Sequence, residues 1–117
     1  MAESMREERR RAAEKKAAAE RRREEQRLAE ERMRHLAWVA QRGEASWREV
    51  EELIAMRSPS GYDRAVGLLK DLGEIARSEG RGEDFARRIA DIRSRHERKG
   101  QFITRLSALQ VGNKDAA

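Results

Sequence analysis

The side chains that most often perform chemistry are scarce in this sequence. It contains two histidines, His35 and His96, and no cysteine. The absence of cysteine excludes disulfides and thiolate metal sites, and neither histidine has a second histidine at a zinc-binding spacing. His96 falls on the apolar side of a predicted helix, which favours a hydrogen-bonded, partly buried ring over a metal ligand. The sequence therefore predicts no metal and no cofactor.

The glycine and carboxylate patterns also indicate no catalytic site. Gly80-Arg81-Gly82 follows a predicted helix, whereas a phosphate-binding glycine loop follows a strand. We interpret this tripeptide as a helix C-cap and turn. Carboxylates are numerous, but nearly all of them adjoin arginines on solvated faces. We therefore expect a protein that is not an enzyme.

Basic residues could instead contact nucleic acid, because the formal net charge is +5. Residues 83–106 contain seven Lys and Arg against four Asp and Glu. However, Asp84–Arg88 and Asp91–Arg95 have i,i+4 spacing, which is typical of an ordinary solvated face. Nucleic-acid-binding segments usually carry a cleaner basic stripe with stacking aromatics. A protein partner is therefore favoured, and nucleic acid is the alternative.

The amino-terminal segment has the composition of a charged helix. Residues 2–34 are nearly all Glu, Arg, Lys, Gln and Ala, which are strong helix formers. Glu7–Arg11 and Glu30–Arg34 have i,i+4 spacing and Glu24–Arg27 has i,i+3 spacing, so ion pairs can support the helix. A heptad can be written, but its second row begins with three charged residues, so the seam is poor. We expect residues 1–27 to form a solvated helix or a coiled-coil-like extension, which could form a weak homodimer or bind a partner, with disorder as the remaining alternative.

Residues 28–109 have the apolar content of a small helical domain. Ser46-Trp47-Arg48-Glu49 fits a capping box that starts a short helix, and Ser60 with Asp63 resembles a second cap after Pro59. Apolar residues at helical period then predict one helix from about Tyr62 and another from Glu83 to about Leu109, bent at Gly100. We expect residues 110–117 to form a frayed tail.

The predicted fold class is all-α. A long charged amino-terminal helix is followed by a small three-helix antiparallel bundle of helical hairpins, similar to tetratricopeptide packing. Leu69 and Ile89 should meet in its core. The inner glycines Gly67 and Gly73 are interpreted as sites of close helix packing.

A candidate interaction surface combines apolar and basic residues. Its members are Leu36, Trp38, Arg88, Arg95 and Lys99. The run around Trp38 is apolar on all sides of its helix, so something should cover it. We expect Trp38 and Trp47 both to pack against the carboxy-terminal helices, with a second copy of the chain as the alternative cover for Leu36 and Trp38.

The composition also bears on location. No apolar run approaches the roughly 20 residues of a membrane span, and the amino terminus lacks the apolar core of a secretory signal. A cytoplasmic protein without a membrane partner is the expectation. Arginine outnumbers lysine 22 to 5, which is associated with GC-rich bacterial genomes.

The pattern from Trp47 to Leu106 resembles a known family. The residues that carry it are Trp47-Arg-Glu-Val50, Leu53-Ile54, Pro59, Tyr62-Asp63-Arg-Ala65-Val66-Gly-Leu68-Leu69-Lys-Asp71-Leu72, Phe85-Ala-Arg-Arg88-Ile, Ile92-Arg93, His96-Glu-Arg98-Lys99, Phe102-Ile and Arg105-Leu106. They are similar to the carboxy-terminal helical region of bacterial SWIM zinc-finger proteins, over about residues 28–109. The resemblance implies an accessory helical region. The family's zinc finger needs cysteines, so no metal-binding residue is carried over.

Overall fold

The computed structural model describes the backbone of residues 2–116 and the side chains of residues 2–109, and this part of the chain is helical without strands. Its five helices are α1 (Ala2–Arg42), α2 (Glu44–Ala55), α3 (Pro59–Ser78), α4 (Gly82–Arg95) and α5 (Gly100–Ala116). The predicted all-α class and the long amino-terminal helix are confirmed. None of these helices combines the length and apolarity that crossing a membrane requires.

The chain divides into unit 1 (Met1–His35) and unit 2 (Leu36–Ala117). This division lies later in the chain than the boundary predicted between residues 27 and 28. The frayed tail predicted for residues 110–117 stays a prediction: the backbone of residues 110–116 continues α5, and their side chains lie outside the described part of the chain.

Unit 1 is helical from Ala2 and almost fully solvated. Glu7 pairs with Arg11 at 3.6 Å. Arg27 reaches Glu24 at 2.6 Å and Glu31 at 2.5 Å, so one guanidinium joins two turns of the helix. The predicted pairs Glu7–Arg11 and Glu24–Arg27 are thus confirmed, whereas the described side chains of Glu30 and Arg34 form no ion pair.

The residue that precedes helix α2 as its N-cap is Gly43 rather than the predicted Ser46. Gly43 has a φ of 53°, and α2 follows from Glu44. Ser46 therefore lies inside the first turn, fully buried, and its hydroxyl donates a 3.0 Å hydrogen bond to the carbonyl of Val39. The capping-box prediction is wrong because this serine instead satisfies a carbonyl at the end of α1.

The cap of helix α3 lies two residues before the predicted cap. The hydroxyl of Ser58 accepts a 3.1 Å hydrogen bond from the backbone N–H of Gly61. Pro59 is the first helical residue, a position where its missing N–H has no helical partner to lose. The prediction of Ser60 as the cap is therefore wrong. Gly61 lies so close to α2 that an added Cβ would stand 2.7 Å from the carbonyl oxygen of Leu53.

The central helix of unit 2 is α3, which packs against α2, α4 and α5. Leu69 and Ile89 are both buried in the core, as predicted. Gly73 also matches its prediction, since an added Cβ would meet the Phe85 ring at 3.0 Å, whereas Gly67 has open space. The core consists of Val39, Val50, Leu53, Ile54, Tyr62, Ala65, Leu69, Leu72, Ile89, Ile92, Phe102 and Leu106.

The last predicted helix is divided into two. The helix α4 ends at Arg95 and α5 begins at Gly100, so the single bent helix predicted from Glu83 to Leu109 is wrong. A straight helix over that stretch would be about 40 Å long, whereas α3 spans only about 30 Å. The turn at residues 96–99 allows both halves to pack on α3, and it buries Phe102 and Leu106 there.

Candidate interaction surface

The five residues of the predicted surface lie in three places in unit 2. Leu36 is half-buried and Trp38 is exposed near the end of α1. Arg88 and Arg95 lie on α4, and Lys99 lies in the turn before α5. The structure brings Arg95 and Lys99 together around one pocket. Arg88 and Arg95 line a second cavity, and Arg88 also borders a groove at the start of α4.

The two tryptophans differ in their exposure to solvent. Trp38 is 55% exposed, so the prediction that it packs on the carboxy-terminal helices is wrong. The neighbouring Val39 takes the core position, and successive residues of a helix point about 100° apart. The guanidinium of Arg42 lies 4.7 Å above the Trp38 ring. Trp47 packs against the core as predicted, with its ring 6.0 Å from that of Phe85.

Arg88 bonds to α2 rather than to its own helix. It donates two hydrogen bonds of 2.8 Å to the Glu44 carboxylate, and its guanidinium lies 4.1 Å above the Trp47 ring. The hydrogen bonds from Arg88 lower the pKa of the Glu44 carboxyl. The predicted Asp84–Arg88 pair is therefore wrong, and Asp84 pairs with Arg87.

Arg95 begins a chain of polar contacts from α4 to the following turn. It donates to Glu51 at 2.7 Å and to Asp91 at 2.8 Å, which confirms the predicted Asp91–Arg95 pair. The Nε2 atom of His96 lies 2.8 Å from the other Glu51 oxygen, and the Lys99 ammonium lies 3.0 Å from Nδ1.

These contacts indicate which nitrogen of the His96 ring carries the proton. A lysine ammonium can only donate, so Nδ1 accepts from Lys99 and Nε2 carries the proton donated to Glu51. His96 is thus the hydrogen-bonded, partly buried histidine that the sequence predicts, with a side chain 14% exposed. Partial burial raises the pKa of the Glu51 carboxyl, but the hydrogen bonds from Arg95 and His96 outweigh it, and the pKa lies below its usual range.

A second group of basic residues surrounds the same turn. We call it the basic pocket: an open cavity of about 450 Å³ lined by Arg57, Tyr62, Ser94, Arg95, His96, Glu97, Arg98 and Lys99. The sequence did not single out Arg57 and Arg98. Arg57 closes α2 in a left-handed backbone conformation, with a φ of 51°. No glycine marks that helix end, so the sequence carries no signal for this conformation.

An apolar groove lies at the opposite end of α4. Its floor contains Val39, Trp47 and Phe85, its charged rim includes Glu44 and Arg88, and its volume is about 320 Å³. Mixed charge around an apolar floor is a common composition for a surface that contacts another protein.

Within residues 2–109, no three His, Cys, Asp or Glu side chains are grouped as metal ligands. No family model, curated protein or solved structure matches the chain. By its fold the chain is an all-α protein with a long charged helix and a small helical core.

Proposed function

We propose that this chain is a non-enzymatic interaction or scaffolding module that binds a protein partner through the exposed helix of unit 1. The observation that supports this is the solvation of unit 1, where nearly every side chain from residue 2 to residue 35 is exposed. Its helix is held by pairs such as Arg27 with Glu24 and Glu31, so a regular charged face is available without a core beneath it.

The partner of such a helix is recognised by charge. Residues 1–34 contain 12 Lys and Arg against 9 Asp and Glu, so charges of both signs are present along the helix. A partner surface with the complementary order of charges gains contacts in one register only. Binding should therefore weaken as salt screens these charges.

A charge-swapped variant tests the role of this face. Glu7→Arg combined with Arg11→Glu keeps the ion pair and the net charge, but it reverses the order of charges presented to a partner. We expect pull-down from a lysate to recover a partner with the wild-type chain and to lose it with this variant. Circular dichroism should show unchanged helix content, and deletion of residues 1–34 should abolish capture.

Two results would contradict the proposal. One is capture that survives both the swap and the deletion, which would move the interface to unit 2. The other is reproducible turnover of a small molecule by the purified chain. A weak homodimer is the related alternative, and sedimentation at several concentrations separates self-association from binding of a different protein.

Weak, sequence-independent nucleic-acid binding is the second candidate. The motivation is the excess of basic residues in residues 1–34 and 83–106, together with the basic pocket. The pairing of Arg87, Arg88 and Arg95 with carboxylates counts against it. A gel shift with random duplex and single-stranded DNA at low ionic strength tests it, and an absent shift at micromolar protein would remove it.

We further propose that α2, α3 and α4 stack as antiparallel hairpins of the tetratricopeptide type. The short connections at residues 56–58 and 79–81 and the packing of α3 against both α2 and α4 support this arrangement, because two- to five-residue loops usually join antiparallel neighbours. A cytoplasmic role beside a SWIM zinc-finger protein is supported by the residue pattern from Trp47 to Leu106. Co-purification of the chain with such a protein from a bacterial lysate is the test.

A further inference from the structure

The basic pocket collects side chains from three separate parts of unit 2. Arg57 follows the end of α2, Tyr62 comes from the first turn of α3, and residues 94–99 supply the end of α4 and the turn after it. Residues far apart in the sequence therefore face one open cavity, and the folded core holds them in place.

Some of the basic side chains that line this cavity are paired with carboxylates, and others are not. Arg95 is bound by Glu51 and Asp91. In contrast, Arg57 and Arg98 have no ion pair or hydrogen bond from their side chains within residues 2–109. Lys99 contacts only the neutral nitrogen of His96 there. Three cations thus face the pocket without a carboxylate partner, beside the single acidic side chain of Glu97.

The backbone of Arg57 adds a second reason to look for a ligand. Its N–H bonds to the carbonyl of Ile54 at 3.1 Å, and its φ of 51° makes it the left-handed residue that ends α2. Glycine is the usual residue at this position because it has no Cβ to strain. An arginine in this conformation strains its backbone, and no described contact of its side chain offsets that strain. Such outliers are common at binding sites.

We propose that the basic pocket binds the terminal phosphate group of a phosphate monoester, or free inorganic phosphate, through Arg57, Arg98 and Lys99. Guanidinium and ammonium groups form strong charge-assisted hydrogen bonds to phosphate oxygens. The hydroxyl-bearing residues Tyr62 and Ser94 line the same cavity. A nucleic-acid backbone would need a basic track along several phosphates, whereas these three cations surround one cavity.

Backbone NMR of the labelled full-length chain tests this assignment. Sodium phosphate, O-phosphoserine and an oligothymidylate without terminal phosphate are titrated at ionic strength held constant with sodium chloride. We expect the amides of residues 57, 62 and 94–99 to shift together and to saturate with the first two ligands. Tighter binding of O-phosphoserine would identify a phosphoester as the ligand, and equal binding would identify phosphate itself.

Three variants separate this site from general charge screening. Arg57→Gly and Arg98→Gln should each weaken phosphate binding by about tenfold. Arg57→Gly should also melt at the same or a higher temperature, because glycine suits the left-handed position. Arg64→Gln is the matched control, since Arg64 is an exposed arginine of α3 without a described partner and outside the pocket.

The proposal is overturned by any of four results. These are shifts that do not saturate, equal shifts with chloride alone, an equal loss of affinity in Arg64→Gln, or tighter binding of the oligothymidylate than of either phosphate ligand. The last result would assign the pocket to a nucleic-acid backbone. Failure here leaves the role of unit 1 untouched, because that role is tested by protein capture.

Discussion

Unit 1 and unit 2 both contain arginine–carboxylate pairs, but they place them at different separations in the chain. In unit 1, Arg27 pairs with Glu24 and Glu31, three and four residues away. In unit 2, Arg88 pairs with Glu44 and Arg95 pairs with Glu51, each 44 residues apart. The first kind of pair needs only a helix, whereas the second needs a folded core.

This difference indicates what stabilises each unit. Pairs within one helix contribute about 0.2–0.5 kcal/mol each, and exposed pairs between helices contribute roughly 0–1 kcal/mol. Neither amount folds a domain. Unit 2 is therefore stabilised by its buried apolar side chains, and its cross-helix pairs join side chains of α2 and α4 at the surface. The stability of unit 1 is the local stability of a helix.

The largest effect should come from the core of unit 2. Leu69→Ala or Ile89→Ala removes a side chain that is 0% or 2% exposed, and we expect each to lower the free energy of unfolding by roughly 2–5 kcal/mol. Leu28→Ala is the control in unit 1, where the leucine is 51% exposed. Urea unfolding followed by near-ultraviolet circular dichroism measures all three. A core variant as stable as the control would show that the core is misplaced.

The next largest effect should come from the close approach of α2 and α3. A Cβ at Gly61 would stand 2.7 Å from the carbonyl oxygen of Leu53, so Gly61→Ala forces the helices apart and should cost roughly 1–3 kcal/mol. At Gly67 nothing lies within 4 Å, and Gly67→Ala should instead stabilise α3 by up to about 1 kcal/mol. Thermal melts of the two variants should move in opposite directions. Equal shifts would mean that the α2–α3 contact is looser than described.

A smaller effect should come from the pairing of Glu51. Its folded-state pKa lies below the ordinary value of 4.5, so the unfolded chain binds the proton first as the pH falls. The contribution is therefore present above about pH 4.5 and is lost as the pH falls through the lower folded pKa. Because the side chain is 38% exposed, solvent screening limits the contribution to about 1 kcal/mol or less.

Glu51→Gln should accordingly be less stable than wild type at pH 7, and the difference should narrow below pH 4.5. Glu52→Gln is the matched control, since Glu52 is exposed on the same helix without an ion pair among the described residues. Urea midpoints across this pH range measure the difference. A gap of constant size at every pH would contradict the role assigned to the carboxylate.

The smallest effect on stability should come from Trp38. Trp38→Phe should change the free energy of unfolding by no more than about 0.5 kcal/mol, as is usual for surface substitutions. In Trp47→Phe, which leaves Trp38 as the only tryptophan, emission should be red and readily quenched by acrylamide. Emission that is blue at high concentration and shifts red as the protein is diluted would instead place Trp38 at an interface between two copies.

Part of this fold follows directly from residue spacing. The helices around Leu69 and Ile89 repeat apolar residues every three or four positions, so their buried faces can be predicted from the local sequence. The inward position of His96 follows from the same period. Trp38 could not be placed in this way, because the run Leu36–Ala40 is apolar on every side, and the choice of Val39 as the core residue depends on what packs against it.

The helix boundaries were harder to predict for a related reason. Ser46 and Glu49 fit a capping box. In the folded protein, however, the Ser46 hydroxyl donates its hydrogen bond to the Val39 carbonyl and does not cap α2. The period from Phe85 to Leu106 continues across the division between α4 and α5. The turn at residues 96–99 lets α4 and α5 both pack on α3, and this packing is a property of the folded domain.

The sequence alone determined that the chain is helical, that its amino-terminal part is charged and that its apolar residues lie later, because these properties depend on composition and short-range spacing. The tertiary structure alone decided the pairing of Arg88 with Glu44 and the grouping of Arg57 with Arg98 and Lys99. Those contacts join residues about 40 apart, and their geometry depends on how the helices pack around α3.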